Sequence, residues 1–172
     1  MINLNVQAID EKRIRISGID PVLAGLLQEL PSTLDKRDTP AARARLLPKP
    51  TANDAKANEE WSKIVTPELR HLFVSAGETV TRDLTGLEPE PETEDQFQVT
   101  FSSEHVRAWM SALNQARLIL GELFQIDEQD MNAEDLDLTK PKHVSALKIH
   151  LLGHLLHLFV ELEGGGGPEN SV

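Results

Sequence analysis

Hydrophobic and polar residues alternate along the first nine positions, with Ile2, Leu4, Val6 and Ala8 on one side and Asn3, Asn5 and Gln7 on the other. A period of two resumes at Arg13 to Ile16 after a polar break, which predicts a β-hairpin with strands at 2–9 and 13–17. Asp20-Pro21 then supplies a cap followed by a first-turn proline. Val22, Leu23, Leu26, Leu27 and Leu30 repeat at helical spacing until Pro31, so a helix is expected over about 21–30. From Pro31 to Asn53 the pattern is irregular, a long connection with two possible helical turns at Ala41 to Leu47.

Helical periods dominate afterwards. Asn53 or Asp54 can cap a helix to about Ile64, on which Ala57, Trp61 and Ile64 share a face. Thr66-Pro67-Glu68 repeats the cap-and-proline signature and opens a second helix with the stripe Leu69, Leu72, Phe73, Ala76, Val80 and Leu84. Residues 87–96 carry five acids and two prolines between Glu88 and Asp95, a composition that predicts a mobile, solvated linker. Phe97, Val99 and Phe101 alternate with polar residues as a third strand that can join the hairpin. Helices are expected at about 103–124 and 140–163, and a disordered Gly-rich tail at 164–172. The fold class that follows is mainly α: a bundle-like single domain over 1–163 with five or six helices and a small antiparallel sheet.

Composition narrows the possible functions. The 172 residues hold 17 Lys and Arg against 28 Asp and Glu, and a net charge of −11 argues against a nucleic-acid partner. The absence of cysteine removes disulfides and thiolate chemistry and fits a reducing, cytoplasmic setting. The start of the chain has no basic, apolar leader, and the greasiest stretch, Ile149 to Val160, is interrupted by histidines and too short to span a bilayer, so no membrane partner is expected. Charge is uneven: residues 1–53 carry eight bases and six acids, residues 54–172 nine and twenty-two.

Two helices carry the candidate chemistry. At about 100° per residue, His143, His150, His154, His157 and Glu161 fall on one stripe of the last helix, opposite its leucines. The i, i+4 pair His150 and His154 has a spacing that can hold a divalent metal, with His157 and Glu161 beside it. The same row also suits plain water contact, or a pH-responsive subunit interface. On helix 103–124, Arg117 falls within the apolar stripe of Val106, Trp109, Met110, Leu113, Leu120 and Phe124. A guanidinium there needs either a carboxylate, with Glu60, Asp83 and Asp135 as possible acceptors, or an anionic ligand in a cleft that Asn114 borders. The run Asp127 to Asp135 lacks the Gly and Glu that a calcium loop needs, and no nucleophile, phosphate-loop or dinucleotide motif occurs.

Leu46-Leu47-Pro48, the acidic helix with Glu59, Glu60 and Trp61, the block Trp109, Ala112-Leu113-Asn114, Arg117-Leu118 and Leu120-Gly121, and the apolar last helix together resemble a known family. It is the bacterial domain-of-unknown-function family numbered twenty-seventeen, and the likeness runs from about Ile19 to Leu162. That family carries an acid directly after the asparagine, where this chain has Gln115. The resemblance implies a cytoplasmic bacterial protein whose gene often lies near that of the Clp protease adaptor. It marks Trp109, Asn114, Arg117 and Gly121 as motif positions and implies no known activity.

The leading expectation is a non-enzymatic interaction or regulatory protein acting through a helical surface, without a cofactor. The alternative is a small metal-dependent hydrolase or metal-binding helical protein built on His150 and His154. The excess apolar surface of helix 140–163 predicts a homodimer.

Overall fold

The computed structural model describes residues 3–164. Two N-terminal strands, β1 (Asn5–Ala8) and β2 (Arg13–Ile19), form the expected hairpin. Helix α1 (Pro21–Leu34) follows, then a 3₁₀ turn at Asp35–Asp38, α2 (Pro40–Leu46) and the long α3 (Ala55–Leu84). Strands β3 (Glu88–Pro89) and β4 (Phe97–Ser102) return to the sheet. A 3₁₀ turn at Ser103–His105 leads into α4 (Val106–Leu123), α5 (Glu128–Met131) and α6 (Pro141–Gly164). The tail beyond Gly164, expected to be disordered, lies outside the described residues.

The antiparallel sheet has the order β1-β2-β4-β3, so the strand at 97–102 lies beside the second strand of the hairpin. Its alternation becomes cross-strand rows: Val6 faces Ile16, which faces Val99, and Ile14 faces Phe101. All five side chains are buried, which fixes the register, because a one-residue slip would turn each of them to water. The register shifts between Ile16 and Ile19, where Gly18 adopts φ +68°. A Cβ at Gly18 would lie 2.0 Å from the carbonyl oxygen of Asn3, so glycine is required there on two counts. The backbone N–H of Gly18 donates to the carboxylate of Glu90 at 2.6 Å. The acidic segment 87–96 is therefore not wholly free of the sheet: Glu88 and Pro89 pair with Gln98 and Phe97, and Glu90 satisfies the bulge.

Helix α4 is the hub, with Val106, Trp109, Ala112, Leu113, Ala116 and Ile119 buried among α1, α2, α3 and α6. Phe101, Trp109 and Phe159 stack where sheet, α4 and α6 meet. Their ring centroids are 4.8 Å apart for Phe101 and Trp109, and 6.0 Å for Trp109 and Phe159. The indole N–H of Trp109 donates to Asp83 at the end of α3 over 3.0 Å, so the largest buried side chain keeps its one polar atom paired.

Two prolines read as boundaries are inside helices. Pro31 lies within α1, which continues for another turn because Leu34 is buried at its end. Pro67 lies within α3, so the two helices expected at 54–64 and 66–84 are one of 30 residues. The Lys63 carbonyl that loses its N–H partner to Pro67 sits on an exposed turn where water can replace it. The stripe expected to bury Leu72 does not: Leu72 and Ile64 are 62% and 67% exposed, and only Ala76, Gly77 and Val80 of α3 are buried. By length and composition α6 can cross a membrane, in contrast to the expectation from Ile149 to Val160 alone. Its inner face, with Leu152, Leu155 and Phe159 fully buried, belongs to the chain's own core.

Candidate functional site

The histidine row does not converge on a metal. His150 donates from Nε2 to the Met131 carbonyl at 2.8 Å, and His157 pairs with Glu161 at 3.0 Å on exposed helix surface. His143 accepts from the Asp137 N–H at 2.7 Å, and His154 is exposed. Among the described residues no group of three or more His, Asp or Glu side chains is placed to hold an ion. His150, His154 and His157 lie in a row along one helix stripe, and among the described residues no second element brings a further His, Asp or Glu into a group of three with them.

Arg117 is the more informative residue. It is half-buried on α4, and among the described residues it makes no ion pair or hydrogen bond; its Nε is buried without an acceptor. None of the proposed acids reaches it, and Asp83 is instead held by Trp109 and His105. The side chain is seated by shape: a Cβ on Gly153 of α6 would lie 3.2 Å from its Nε and 3.4 Å from Cζ, so the guanidinium rests against bare backbone.

The same device occurs once more. Arg37 has a buried, unpaired Nε, lies over Gly77 of α3, and reaches Gln115 Oε1 at 3.5 Å. Gln115 is 1% exposed and also donates to the Phe73 carbonyl and to Ser111. Burial pushes the Arg37 pKa below its ordinary value. Arg37 and Arg82 share a cleft of about 570 Å³ with Asp35 and Glu78, two bases against two acids.

Arg117 lines a different cleft, of about 330 Å³, together with Asn114 and Gly121 on α4, Arg45 on α2, and Ile126 and Ile149. Three of the four motif positions read from the sequence thus face one space, while the fourth, Trp109, belongs to the core. The rim is completed by Glu122, 3.9 Å from Arg45.

A family described as "Domain of unknown function (DUF2017)" matches residues 13–162. The chain belongs to that family. No curated protein and no solved structure matches this DUF2017 chain. Its site residues therefore have to be read from geometry. Sequence patterns miss Arg45, Gly153, Arg37 and Gly77. The available signal was a glycine at 77 and at 153 inside a strongly helical stretch, each costing about 1 kcal/mol against alanine and so asking for a packing reason.

Proposed function

We propose that this protein is a non-enzymatic interaction or regulatory protein that acts through the first half of α3, with a second copy of the chain as its partner. The carrying observation is the exposed apolar face of that half. Over residues 55–72 nothing is buried, and Trp61, Val65 and Leu72 lie within about 40° of one another at 100° per residue, with Ile64 beside them. Covering Ile64 and Leu72 on both copies favours association by about 1.5–3 kcal/mol for each side chain fully removed from water.

Charge supports the choice of partner. Residues 55–72 hold three bases (Lys56, Lys63, Arg70) and three acids (Glu59, Glu60, Glu68), a neutral face on a molecule of net charge −11. Two copies meeting on that face bring no net like charge together. Helix α6 is less suited than its sequence led one to expect, since its apolar excess is largely taken up by the core and Val160, 49% exposed, is its one large hydrophobic residue left in water. The acidic charge supports a protein rather than a nucleic-acid partner, and the cysteine-free composition supports a reducing, cytoplasmic location.

Sedimentation equilibrium tests this. The expected species at micromolar concentration has twice the 19.1 kDa chain mass. Ile64→Asp and Leu72→Asp, at positions the fold does not bury, are expected to give monomers with unchanged circular dichroism. A wild-type monomer, or a dimer insensitive to both substitutions, overturns the proposal.

A further inference from the structure

We infer that the cleft at the C-terminal end of α4 is a binding site for a small organic acid carrying one carboxylate on an apolar body. No residue of α3 lines it, so this inference stands apart from self-association. Four observations carry it. The Nε of Arg117 is buried with no hydrogen-bond acceptor, an unmet donor that an acceptor bound in the cleft would satisfy. Its head group lies over Gly153, where a Cβ would come within 3.2 Å of Nε, and it makes no salt bridge among the described residues.

Gly121 supplies the third. A Cβ there would meet nothing within 4 Å, so no packing contact of the protein explains a glycine that costs about 0.5–1 kcal/mol against alanine in a helix. It keeps the wall of the cleft open. The fourth is the cleft itself, whose 330 Å³ lies at the lower end of the roughly 300–1,000 Å³ typical of small-molecule sites.

The lining selects the ligand. Arg117 and Arg45 against Glu122 leave one net positive charge, which favours a single negative charge over a phosphate dianion. A planar guanidinium offers two parallel donors that match a carboxylate, and the exposed Asn114 amide adds a further donor at the rim. Leu118, Ile126 and Ile149 form the apolar wall against which a hydrocarbon body rests.

The test is a titration of the full-length, ¹⁵N-labelled protein with hexanoate, and with hexanol and inorganic phosphate at matched ionic strength, followed by amide chemical shifts. Saturable shifts are expected with hexanoate, centred on residues 114–126, with hexanol and phosphate each about tenfold weaker or worse. Arg117→Leu is expected to lower hexanoate affinity about tenfold, the loss of one charge-assisted pair. Gly121→Leu, grown from a position with open space, is expected to fill the cleft and abolish the shifts while the fold is kept, so the test survives if Arg117→Leu does not fold. Hexanol binding as well as hexanoate, phosphate binding better, no saturation, or binding unchanged in Gly121→Leu each overturns the assignment.

Discussion

Asp83 joins three elements, and removing its carboxylate separates their contributions. Its side chain, 12% exposed, accepts the Trp109 indole N–H at 3.0 Å and faces His105 Nδ1 at 2.9 Å. Trp109 is fully buried, so Asp83→Ala strands an indole donor that water cannot reach, at a cost of about 1–3 kcal/mol. The contact with the more exposed His105 adds no more than about 1 kcal/mol. Against this, Asp83 sits in the last turn of α3, where a negative charge opposes the helix dipole, and its removal returns about 0.3–1 kcal/mol. The balance is a loss of about 2 kcal/mol, which for a chain of this size lowers Tm by roughly 4–8 °C. Urea unfolding followed by circular dichroism measures it. In a Trp109→Phe background, which has no indole donor, Asp83→Ala should cost less than about 1 kcal/mol. Equal losses in both backgrounds would refute the assignment of Asp83 as the partner that matters to Trp109.

Three further outcomes are expected. Arg70 holds Asp38 through two hydrogen bonds, 3.0 and 2.6 Å, and keeps its carboxyl below the usual carboxylate range. Because the folded pKa is the lower one, this pair stabilises the fold above the unfolded carboxylate pKa and fades as pH falls through the folded value. Asp38→Asn should therefore cost up to about 1 kcal/mol at neutral pH and nothing in strong acid, compared by urea midpoints across pH. Gln125 follows α4 with φ 50° while the Ile126 N–H donates to the Gly121 carbonyl at 2.9 Å, a helix end that favours glycine, so Gln125→Gly should raise stability by about 0.5–1 kcal/mol in the same assay. Gly18→Ala should destabilise by more than about 2 kcal/mol or prevent folding, since φ +68° and the Asn3 carbonyl both exclude a side chain; a measured loss below about 1 kcal/mol would show that the bulge rearranges cheaply.

How much of this was readable depended on where each signal lies. Phe97, Val99 and Phe101 announced a strand because alternation is local, and the stripe from Val106 to Leu120 announced α4 for the same reason. Pro67 misled because a cap-and-proline signature describes what one turn prefers, whereas continuation of α3 depends on whether the freed carbonyl meets water. Arg117 stands out in the sequence as a base in an apolar stripe, and in the structure it lines one cleft with Asn114 and Gly121. None of the expected acids pairs with it, and the guanidinium lies instead over a glycine 36 positions later on another helix. No spacing rule connects Arg117 to Gly153, or Arg37 to Gly77; those pairs exist only once the helices are packed.

The sheet order has a consequence for synthesis. Strand β2 lies between β1, which leaves the ribosome before it, and β4, whose first residue is 78 positions beyond Ile19. At about 5–20 residues per second that gap lasts roughly 4–16 s, during which one edge of β2 has no partner from its own chain. An open edge of that kind invites pairing between nascent chains. The bulge at Gly18 interrupts the regular ladder on that edge, and Arg13 and Arg15 place two charges along it. The hairpin thus carries its own protection against premature pairing until Val99 and Phe101 arrive to cover that edge.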